Sequence, residues 1–284
     1  MHKLTPTRAE EAVQILAKNR NAWVVSGGTT VMSNLLLNVL RTPKVLVSIE
    51  RIEEAQRLDP ESGWIGAAAK LTLLHDASGW PGLVRTAIEH HRPRVQTPTL
   101  SRTTLGGRLL ADGGSSALAT AMMTLGAEAE LVSPEGQRRV PVESILANPT
   151  RNHLRPYEIL LGVWLSPLGE EGGCRVGEAY AEELSDGGQL KEAVAVMLAR
   201  SGDQISAARV ALGGLDPLVG RARLVETALV GRGGSEDLFS IAGQTAREEV
   251  DPPDKEERPR DQRLAIFERI TREATAAAFA AAGA

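Results

Sequence analysis

The chain has 284 residues, and its 32 Lys and Arg nearly balance its 36 Asp and Glu, so its formal net charge is −4 at pH 7. A charge this small argues against a dedicated nucleic-acid or membrane-surface binder, while 42% hydrophobic and 24% charged residues are typical of a folded globular chain. The single cysteine, Cys174, excludes an internal disulfide, a cysteine-rich zinc site and the four thiolates that an iron–sulfur cluster commonly needs.

The first 55 residues are predicted to form a small α/β unit. Thr7 and Glu10 have the spacing of a capping box, which predicts that a helix begins at Thr7. The apolar segment 23–25 is predicted to be a strand that runs through a Ser-Gly-Gly turn into a helix over 29–40. A Val-rich strand over 44–49 completes the unit.

The N-terminal segment also bears on the compartment. It carries charges throughout and lacks an apolar core of about 7–15 residues, which argues against a cleaved secretory signal. No stretch of the sequence reaches about 18 uninterrupted apolar residues, so no membrane span is predicted. We therefore expect a cytoplasmic protein.

A larger α+β unit is predicted from residue 56 to residue 171. Its elements in chain order are a strand over 64–66 that leads into a helix ending near 74, a helix over 83–91, a polar aperiodic stretch that ends in Gly106-Gly107, a helix over 117–125, a hairpin of strands 128–132 and 138–142, and a strand over 159–165.

The third unit, residues 172–284, is predicted to be α+β as well. Its elements are a helix over 189–200, an alternating strand over 205–212, a Gly213-Gly214 turn, a helix over 221–230, a charged Pro-rich loop over 251–259 and an Ala-rich helix over 262–282.

Several well-defined sites lack their signatures. The sequence contains no GxxxxGK[ST], GxGxxG, HExxH or GxSxG, which argues against P-loop, Rossmann, zinc-protease and hydrolase-elbow sites. His90 and His91 are adjacent in a predicted helix, where neighbouring side chains point about 100° apart. They are poorly placed to share one ion, and we predict no metal site.

The segment VVSGGTTV is a candidate phosphate-binding loop. A short strand meets Gly27-Gly28 and then a helix, whose first amide groups and positive dipole end would attract an anion. The alternative is a plain strand-to-helix turn that uses glycine for its left-handed dihedrals.

The segment TTLGGRLLADGGSS repeats this chemistry about 80 residues later. Hydroxyls at Thr103 and Thr104 precede Gly106-Gly107, which are predicted to leave a strand-like segment, and Gly113-Gly114 follows. The two turns could converge on the two phosphates of one dinucleotide, although a tight loop would also explain the second one. Arg102 and Arg108 flank this turn and could pair with phosphates.

Four segments resemble, in the right order, the FAD-binding (medium) subunits of the molybdenum hydroxylases, the family of carbon monoxide dehydrogenase and xanthine dehydrogenase. VVSGGTTVM is similar to the family's AGGTDL segment, TTLGGR to its TIGGN segment, and ALATAMMTLGAEAELVSPEGQRRVP to the stretch that follows. ISAARVALGGLDPLVGRARLVETALVG is similar to the start of the family's C-terminal domain. The chain resembles a divergent member from about residue 3 to residue 280.

The resemblance implies the fold class. It is α+β, with a two-subdomain FAD-binding fold of the PCMH type over 1–55 and 56–171, and a C-terminal α+β flavoprotein domain over 172–284. FAD is then the expected cofactor, and it would lie between the first two subdomains.

The resemblance also implies cofactor-binding residues. Those of the first loop would be Val25, Ser26, Gly27, Gly28, Thr29, Thr30 and Val31, and those of the second loop would be Thr104, Leu105, Gly106 and Gly107. Tyr180 would lie close to the isoalloxazine ring, although a half-buried core tyrosine fits the same pattern. No acid, base or nucleophile is predicted, because the redox chemistry belongs to the cofactor.

Several positions depart from the family pattern. Thr30 replaces the aspartate of AGGTDL, Arg108 an Asn or Asp, Ala117 a flavin-contacting aspartate, and Leu100-Ser101 an Arg-Asn pair. After Tyr180, Glu182 and Glu183 replace a lysine and the basic run that follows it. A phosphate-rich cofactor that faces Glu182 in place of the lysine would lose Coulomb attraction.

The resemblance implies an oxidoreductase subunit that is active as part of a hetero-oligomer. Electrons would pass from a molybdenum-cofactor large subunit, through the [2Fe-2S] clusters of a small subunit, to FAD on this chain and then to an external acceptor. The departures motivate an alternative, a non-catalytic member that has lost FAD and serves as an assembly or scaffolding subunit. In a third interpretation the cleft holds another nucleotide or a flavin-like ligand.

Overall fold

The computed structural model describes residues 1–37, 41–91, 97–111, 116–146, 154–166, 174–185, 190–215, 220–254 and 258–283. The strands are β1 (His2–Leu4), β2 (Ala22–Val25), β3 (Val45–Ser48), β4 (Leu58–Asp59), β5 (Trp64–Gly66), β6 (Glu128–Ser133), β7 (Gly136–Pro141), β8 (Ile159–Trp164), β9 (Arg175–Leu184), β10 (Leu190–Ser201), β11 (Gln204–Gly213) and β12 (Gly220–Arg221). The helices are α1 (Ala9–Lys18), α2 (Thr29–Leu36), α3 (Glu53–Gln56), α4 (Leu71–Asp76), α5 (Gly82–His91), α6 (Thr97–Leu100), α7 (Leu105–Ala111), α8 (Ala117–Thr124), α9 (Val142–Leu146), α10 (Arg223–Leu229), α11 (Glu236–Glu249) and α12 (Arg260–Ala281).

The N-terminal sheet has three parallel strands in the order β1-β3-β2. Helix α1 covers it with the residues that the helical spacing predicts, since Ala12, Val13 and Leu16 are buried. The predicted capping box is wrong. The N-cap of α1 is Arg8 without a side-chain cap, and the Thr7 amide instead donates to Glu11 Oε2 at 3.3 Å.

The second sheet has five strands in the order β4-β5-β8-β6-β7, and every pairing in it is antiparallel. The predicted hairpin is present as β6 and β7. The pairing of β6 with β8 shifts register between Glu130 and Leu131, so that Leu161 of β8 is left as an extra residue. A bulge of this kind bends its strand and changes where the next side chains point.

The third sheet has four antiparallel strands in the order β12-β11-β10-β9. One face packs on α8, every residue of which is buried. The other face packs on α10, α11 and α12. The sheet therefore has a hydrophobic core on both sides.

The helix predicted over 189–200 is wrong, because this segment is β10, paired on both sides with β9 and β11. Alternate residues face the two cores: Ala195 and Met197 pack toward α8, while Val194 and Val196 pack toward the C-terminal helices. A strand buried on both faces is a continuous apolar run, which periodicity cannot distinguish from a buried helix segment.

The segment around the second glycine pair also differs from the prediction. It is not strand-like: the short helix α6 precedes it, and Gly106 and Gly107 lie in the first turn of α7. Gly113-Gly114 and the last residues of the helix predicted over 29–40 lie outside the described residues. Strand β9 and helix α11 were not predicted.

In the part of the chain that the structure describes, no helix is long and apolar enough to cross a membrane.

Candidate functional site

The two predicted glycine turns meet at one cavity. It has a volume of about 520 Å³, which is within the usual range for a small-molecule site. The cavity is lined by most of the predicted binding residues, namely Val25, Ser26, Gly27, Gly28, Thr29, Thr30, Val31, Thr104, Gly106 and Gly107. The turns are about 80 residues apart in the sequence, and the fold brings both of them to the lining of one cavity.

The first turn presents a helix N-terminus to the cavity. Gly28 is the N-cap of α2, with a left-handed φ of 75° that favours glycine, and no side chain caps the helix. The first amide groups of a helix have no partner within it. The Gly28–Val31 backbone thus offers amide donors and the positive end of the helix dipole to a bound anion.

Ser26 adds a side-chain group to this wall. Its Oγ is buried and has no hydrogen-bond partner among the described residues. A buried hydroxyl without a partner costs about 1–3 kcal/mol. A ligand that accepts a hydrogen bond at this turn would remove that cost.

The second turn is built differently, because its amides are used inside the protein. The Leu105 amide donates to Ala69 O at 3.0 Å, and the Gly106 amide donates to Ala67 O at 2.8 Å. The Gly107 amide donates to Thr104 Oγ1 at 3.3 Å. This turn contributes a close-packed wall to the cavity, and free amide donors come from the first turn.

Arg102 joins the two turns. Its Nε donates to Gly27 O at 3.2 Å, and its own carbonyl packs against the Gly27 Cα. The sequence placed Arg102 beside the second turn as a candidate phosphate ligand, and the structure shows it contacting the backbone of the first turn.

A third wall was not predicted. It comes from Leu154 and the start of β8, with Glu158, Ile159 and Leu160 lining the cavity. Arg138 holds the Glu158 carboxylate, with Nε 2.7 Å from Oε1 and Nη2 2.9 Å from Oε2. The Arg155 amide donates to Oε2 at 2.8 Å. No sequence motif marks this wall, because its members are brought together by strand pairing.

The charge of that carboxylate is compensated. Burial alone would raise the pKa of Glu158, but the hydrogen bonds from Arg138 and the Arg155 amide outweigh it, so the pKa lies below its usual value of 4.5. The same pairing raises the pKa of Arg138. The cavity wall therefore carries an ion pair and no uncompensated negative charge at this point.

Two predicted residues do not line the cavity. Leu105 is fully buried in the core beneath the second turn. Tyr180 lies on β9 and packs edge-on against the His90 ring of α5, with ring centroids 4.9 Å apart. Its hydroxyl donates to Glu182 Oε2 at 2.8 Å. The expected contact of Tyr180 with the flavin ring stays a prediction.

The substituted glutamates do not line the cavity either. Glu182, whose side chain is 8% exposed, lies 2.8 Å from His90 Nδ1 as well as from the Tyr180 hydroxyl. Glu183 pairs with Arg269 of α12 at 2.6 Å. Strand β9 directs Glu182 to α5 and Glu183 to α12, and the expectation that Glu182 faces a phosphate-rich cofactor stays a prediction.

Comparison with known proteins identifies the family. A family model described as the FAD binding domain in molybdopterin dehydrogenase matches residues 1–166, more than half of the chain. The chain belongs to this family. A second model, described as the CO dehydrogenase flavoprotein C-terminal domain, matches residues 190–278. The resemblance seen in the sequence is confirmed.

Individual relatives of the FAD-binding family cover most of the chain. The nicotine 6-hydroxylase medium subunit of Paenarthrobacter nicotinovorans is 23% identical over 233 residues, which is 80% of this chain and 79% of the relative. The caffeine dehydrogenase subunit beta of Pseudomonas sp. strain CBB1 is 24% identical over 280 residues, which is 97% of this chain and 93% of the relative. These relatives are oxidoreductase subunits, which confirms the predicted enzyme class.

The fold is shared with solved structures. A chain of the carbon monoxide dehydrogenase from Hydrogenophaga pseudoflava superposes with a TM-score of 0.88 at 22% identity, over 99% of this chain and 97% of that one. The predicted α+β fold class, an FAD-binding fold followed by a C-terminal flavoprotein domain, is confirmed.

FAD, the cofactor that the family implies, fits the residues present. The uncapped N-terminus of α2 lines the cavity, the unpaired Ser26 hydroxyl lies in the same turn, and both groups suit a pyrophosphate. The Glu158 carboxylate is already neutralised by Arg138 and does not repel an anion strongly. In the first turn, Thr30 stands in the place of the family's aspartate, so this wall of the cavity carries no side-chain charge at that position.

Proposed function

We propose that this chain is the FAD-binding electron-transfer subunit of a molybdenum hydroxylase complex, and that FAD lies in the cavity between the glycine turns. One observation carries the proposal. The N-terminus of α2, with Gly28 at its cap and the unpaired Ser26 hydroxyl in the same turn, lines a cavity of about 520 Å³ that the second turn also lines.

Each wall of the cavity has a distinct task in this proposal. The amides of Gly28–Val31 bind the pyrophosphate, helped by the dipole of α2. The close-packed second turn, at Thr104 and Gly106, fixes the width of the cavity. Leu154, Ile159 and Leu160 provide an apolar surface that covers a flat ring and excludes water. The flavin supplies the redox chemistry when it is bound.

The electrons would have to come from another polypeptide. A chain with one cysteine does not have the thiolates for an iron–sulfur cluster. We therefore assign the chain to a cytoplasmic hetero-oligomer with a molybdenum-cofactor large subunit and a small subunit that carries [2Fe-2S] clusters. FAD on this chain would pass electrons to an external acceptor.

A binding measurement tests the cofactor proposal directly. The purified chain should contain flavin, or take it up when FAD is added, to about one flavin per chain by absorbance. Thr29 lines the cavity at the first residue of α2, and a Thr29→Trp side chain would fill the space that FAD needs. We expect this variant to remain folded and to lose FAD binding.

Thr227→Trp is the matched control. Thr227 is exposed on α10, and it is not one of the residues that line the cavity. This variant should bind FAD like the wild type. A wild-type chain that stays colourless and takes up no FAD would contradict the proposal and favour a scaffolding subunit. If the chain is a scaffolding subunit, the Thr29→Trp variant should assemble into the complex as well as the wild type does.

A further inference from the structure

Arg138 does not line the cavity, yet it holds a residue that does. It lies on β7, an edge strand of the five-stranded sheet. Its guanidinium makes the bidentate pair with Glu158, at 2.7 and 2.9 Å, and the Glu158 side chain is 1% exposed. Bidentate arginine–carboxylate pairs fix orientation as well as charge.

The carboxylate of Glu158 also closes a tight turn. It accepts the Arg155 amide at 2.8 Å, while the Glu158 amide donates to Arg155 O at 3.1 Å. Between them, Tyr157 has a φ of 64°, and among the described residues it is the one non-glycine residue with a positive φ. A left-handed residue other than glycine persists where its surroundings fix the backbone.

The cavity wall follows directly on this strained turn. Ile159 and Leu160 line the cavity, and the next residue, Leu161, is the bulged residue of β8. The two lining residues therefore lie between a turn fixed by side-chain hydrogen bonds and a bulge fixed by strand pairing. If the turn relaxed, Ile159 and Leu160 would no longer be held at the cavity.

We infer that Arg138 is a positioning residue for the cofactor cavity: through its bidentate pair with Glu158 it holds the 154–160 segment in the conformation that forms the third wall. This inference rests on the proposed function, since the ligand of the cavity is taken to be FAD. Arg138 contacts no cofactor itself and acts through Glu158.

The pair also makes the wall sensitive to protonation. Arg138 keeps the pKa of Glu158 below its usual value against the opposing effect of burial. The charged facing groups are Arg138 from β7 and Arg155 from the turn. A carboxyl with a lowered folded pKa contributes stability that is lost as the pH falls through that pKa. Without Arg138, burial would raise the pKa of Glu158 above its usual value. The wall would then be destabilised as the pH rises through that pKa, because deprotonation would leave a buried charge without its partner.

Flavin binding to the full chain tests this inference with a control one residue away. Arg139 lies next to Arg138 on β7 and pairs instead with Glu130, at 3.2 Å, and with the Trp164 ring. FAD affinity is measured by quenching of flavin fluorescence for the wild type, Arg138→Gln, Arg138→Lys, Arg139→Gln and the double variant Arg138→Gln/Glu158→Gln. Far-UV circular dichroism reports whether each variant is folded.

We expect Arg138→Gln to raise the Kd for FAD about tenfold or more, a coupling typical of two linked sites, while Arg139→Gln stays within about twofold of the wild type. The double variant should bind more tightly than Arg138→Gln, because it removes the orphaned buried charge. Acidification through the pKa of Glu158 should weaken FAD binding by the wild type, whereas in Arg138→Gln it should strengthen binding, because protonation removes the orphaned charge. The double variant should show neither pH step.

Equal Kd values for Arg138→Gln and Arg139→Gln would overturn the inference, as would a double variant no better than Arg138→Gln. If Arg138→Gln does not fold, the test uses Arg138→Lys and the double variant. Both should bind FAD more weakly than Arg139→Gln, and equal Kd values would overturn the inference. Wild-type protein without FAD affinity would overturn the proposed function together with the inference, whereas normal wild-type binding and an unaffected Arg138 series would overturn the inference alone.

Discussion

Gly27 packs so closely on the carbonyl group of Arg102 that a Cβ atom at residue 27 would overlap the oxygen. The φ of Gly27 is not in the left-handed region, in contrast to that of Gly28. The two adjacent glycines of the first turn are thus required for different reasons. Gly28 permits the backbone conformation of the turn, and Gly27 permits the second turn to approach it.

Gly27→Ala should therefore separate the two turns. We expect it to destabilise the chain by about 1–3 kcal/mol, as overpacking does, and to weaken FAD binding, because both turns line the cavity. Urea denaturation and flavin titration measure the two effects. The control is Gly220→Ala, since a Cβ there meets nothing within 4 Å and the φ is ordinary. Comparable losses in the two variants would show that the contact with Arg102 is unimportant.

Glu178 lies on β9 at its contact with α5, and its titration should make the free energy of unfolding depend on pH. Burial raises the pKa of Glu178 above its usual 4.5, although the carboxylate accepts the Leu83 amide at 2.7 Å. An acid with a raised folded pKa stabilises the fold below its unfolded pKa, and this contribution is lost as the pH rises through the folded pKa. The free energy of unfolding of the wild type should therefore fall, relative to Glu178→Gln, as the pH increases above 4.5.

Unfolding by urea at several pH values between about 4 and 8, where native proteins are usually most stable, measures this difference. Glu61→Gln serves as the control, because Glu61 is exposed. The difference between wild type and Glu178→Gln should change with pH, and that between wild type and Glu61→Gln should stay nearly flat. A pH-independent difference for Glu178→Gln would refute the expected role of burial.

Restoring the family's lysine at residue 182 should harm this chain. Glu182 is buried between His90 and Tyr180, so Glu182→Lys would bury a cation beside the His90 ring and remove the acceptor of the Tyr180 hydroxyl. We expect a loss of about 3 kcal/mol in the free energy of unfolding, as for a broken buried pair.

Glu183→Lys is the comparison for that variant. Glu183 neighbours Glu182 on β9, is 37% exposed and pairs with Arg269 at the surface. Its loss should cost about 1 kcal/mol or less. If the denaturation curves of the two variants superimpose, the burial of Glu182 does not contribute to the free energy of unfolding.

The sequence predicted the parts of the site that are local in the chain. The strand, Gly27-Gly28 and the start of α2 follow one another, and their order alone indicates an anion-binding turn. The third wall could not be predicted in this way, because Arg138 and Glu158 are 20 residues apart and meet through the pairing of β7, β6 and β8. Their residue types are those of any surface ion pair.

Burial explains the main error in the fold. In β10 the residues toward α8 are small or flexible, such as Ala195 and Met197, and those toward the other core are β-branched, such as Val194. An amphipathic pattern arises when one face meets water. With both faces covered, the sequence of β10 carries no such pattern, and its Ala, Leu, Met and Lys content is that of a good helix former.

Helix α8 belongs to the part of the chain matched by the first family model, and its partners β10 and β11 belong to the second. Its six buried apolar residues share one core with Ala195, Met197 and Ala211 of those strands, and Thr124 Oγ1 lies 3.1 Å from Ala195 O. The two sequence families thus divide the chain at a place where its interior is continuous. The C-terminal strands thus bury part of the core of the cofactor-binding region, and we expect the two regions to unfold together.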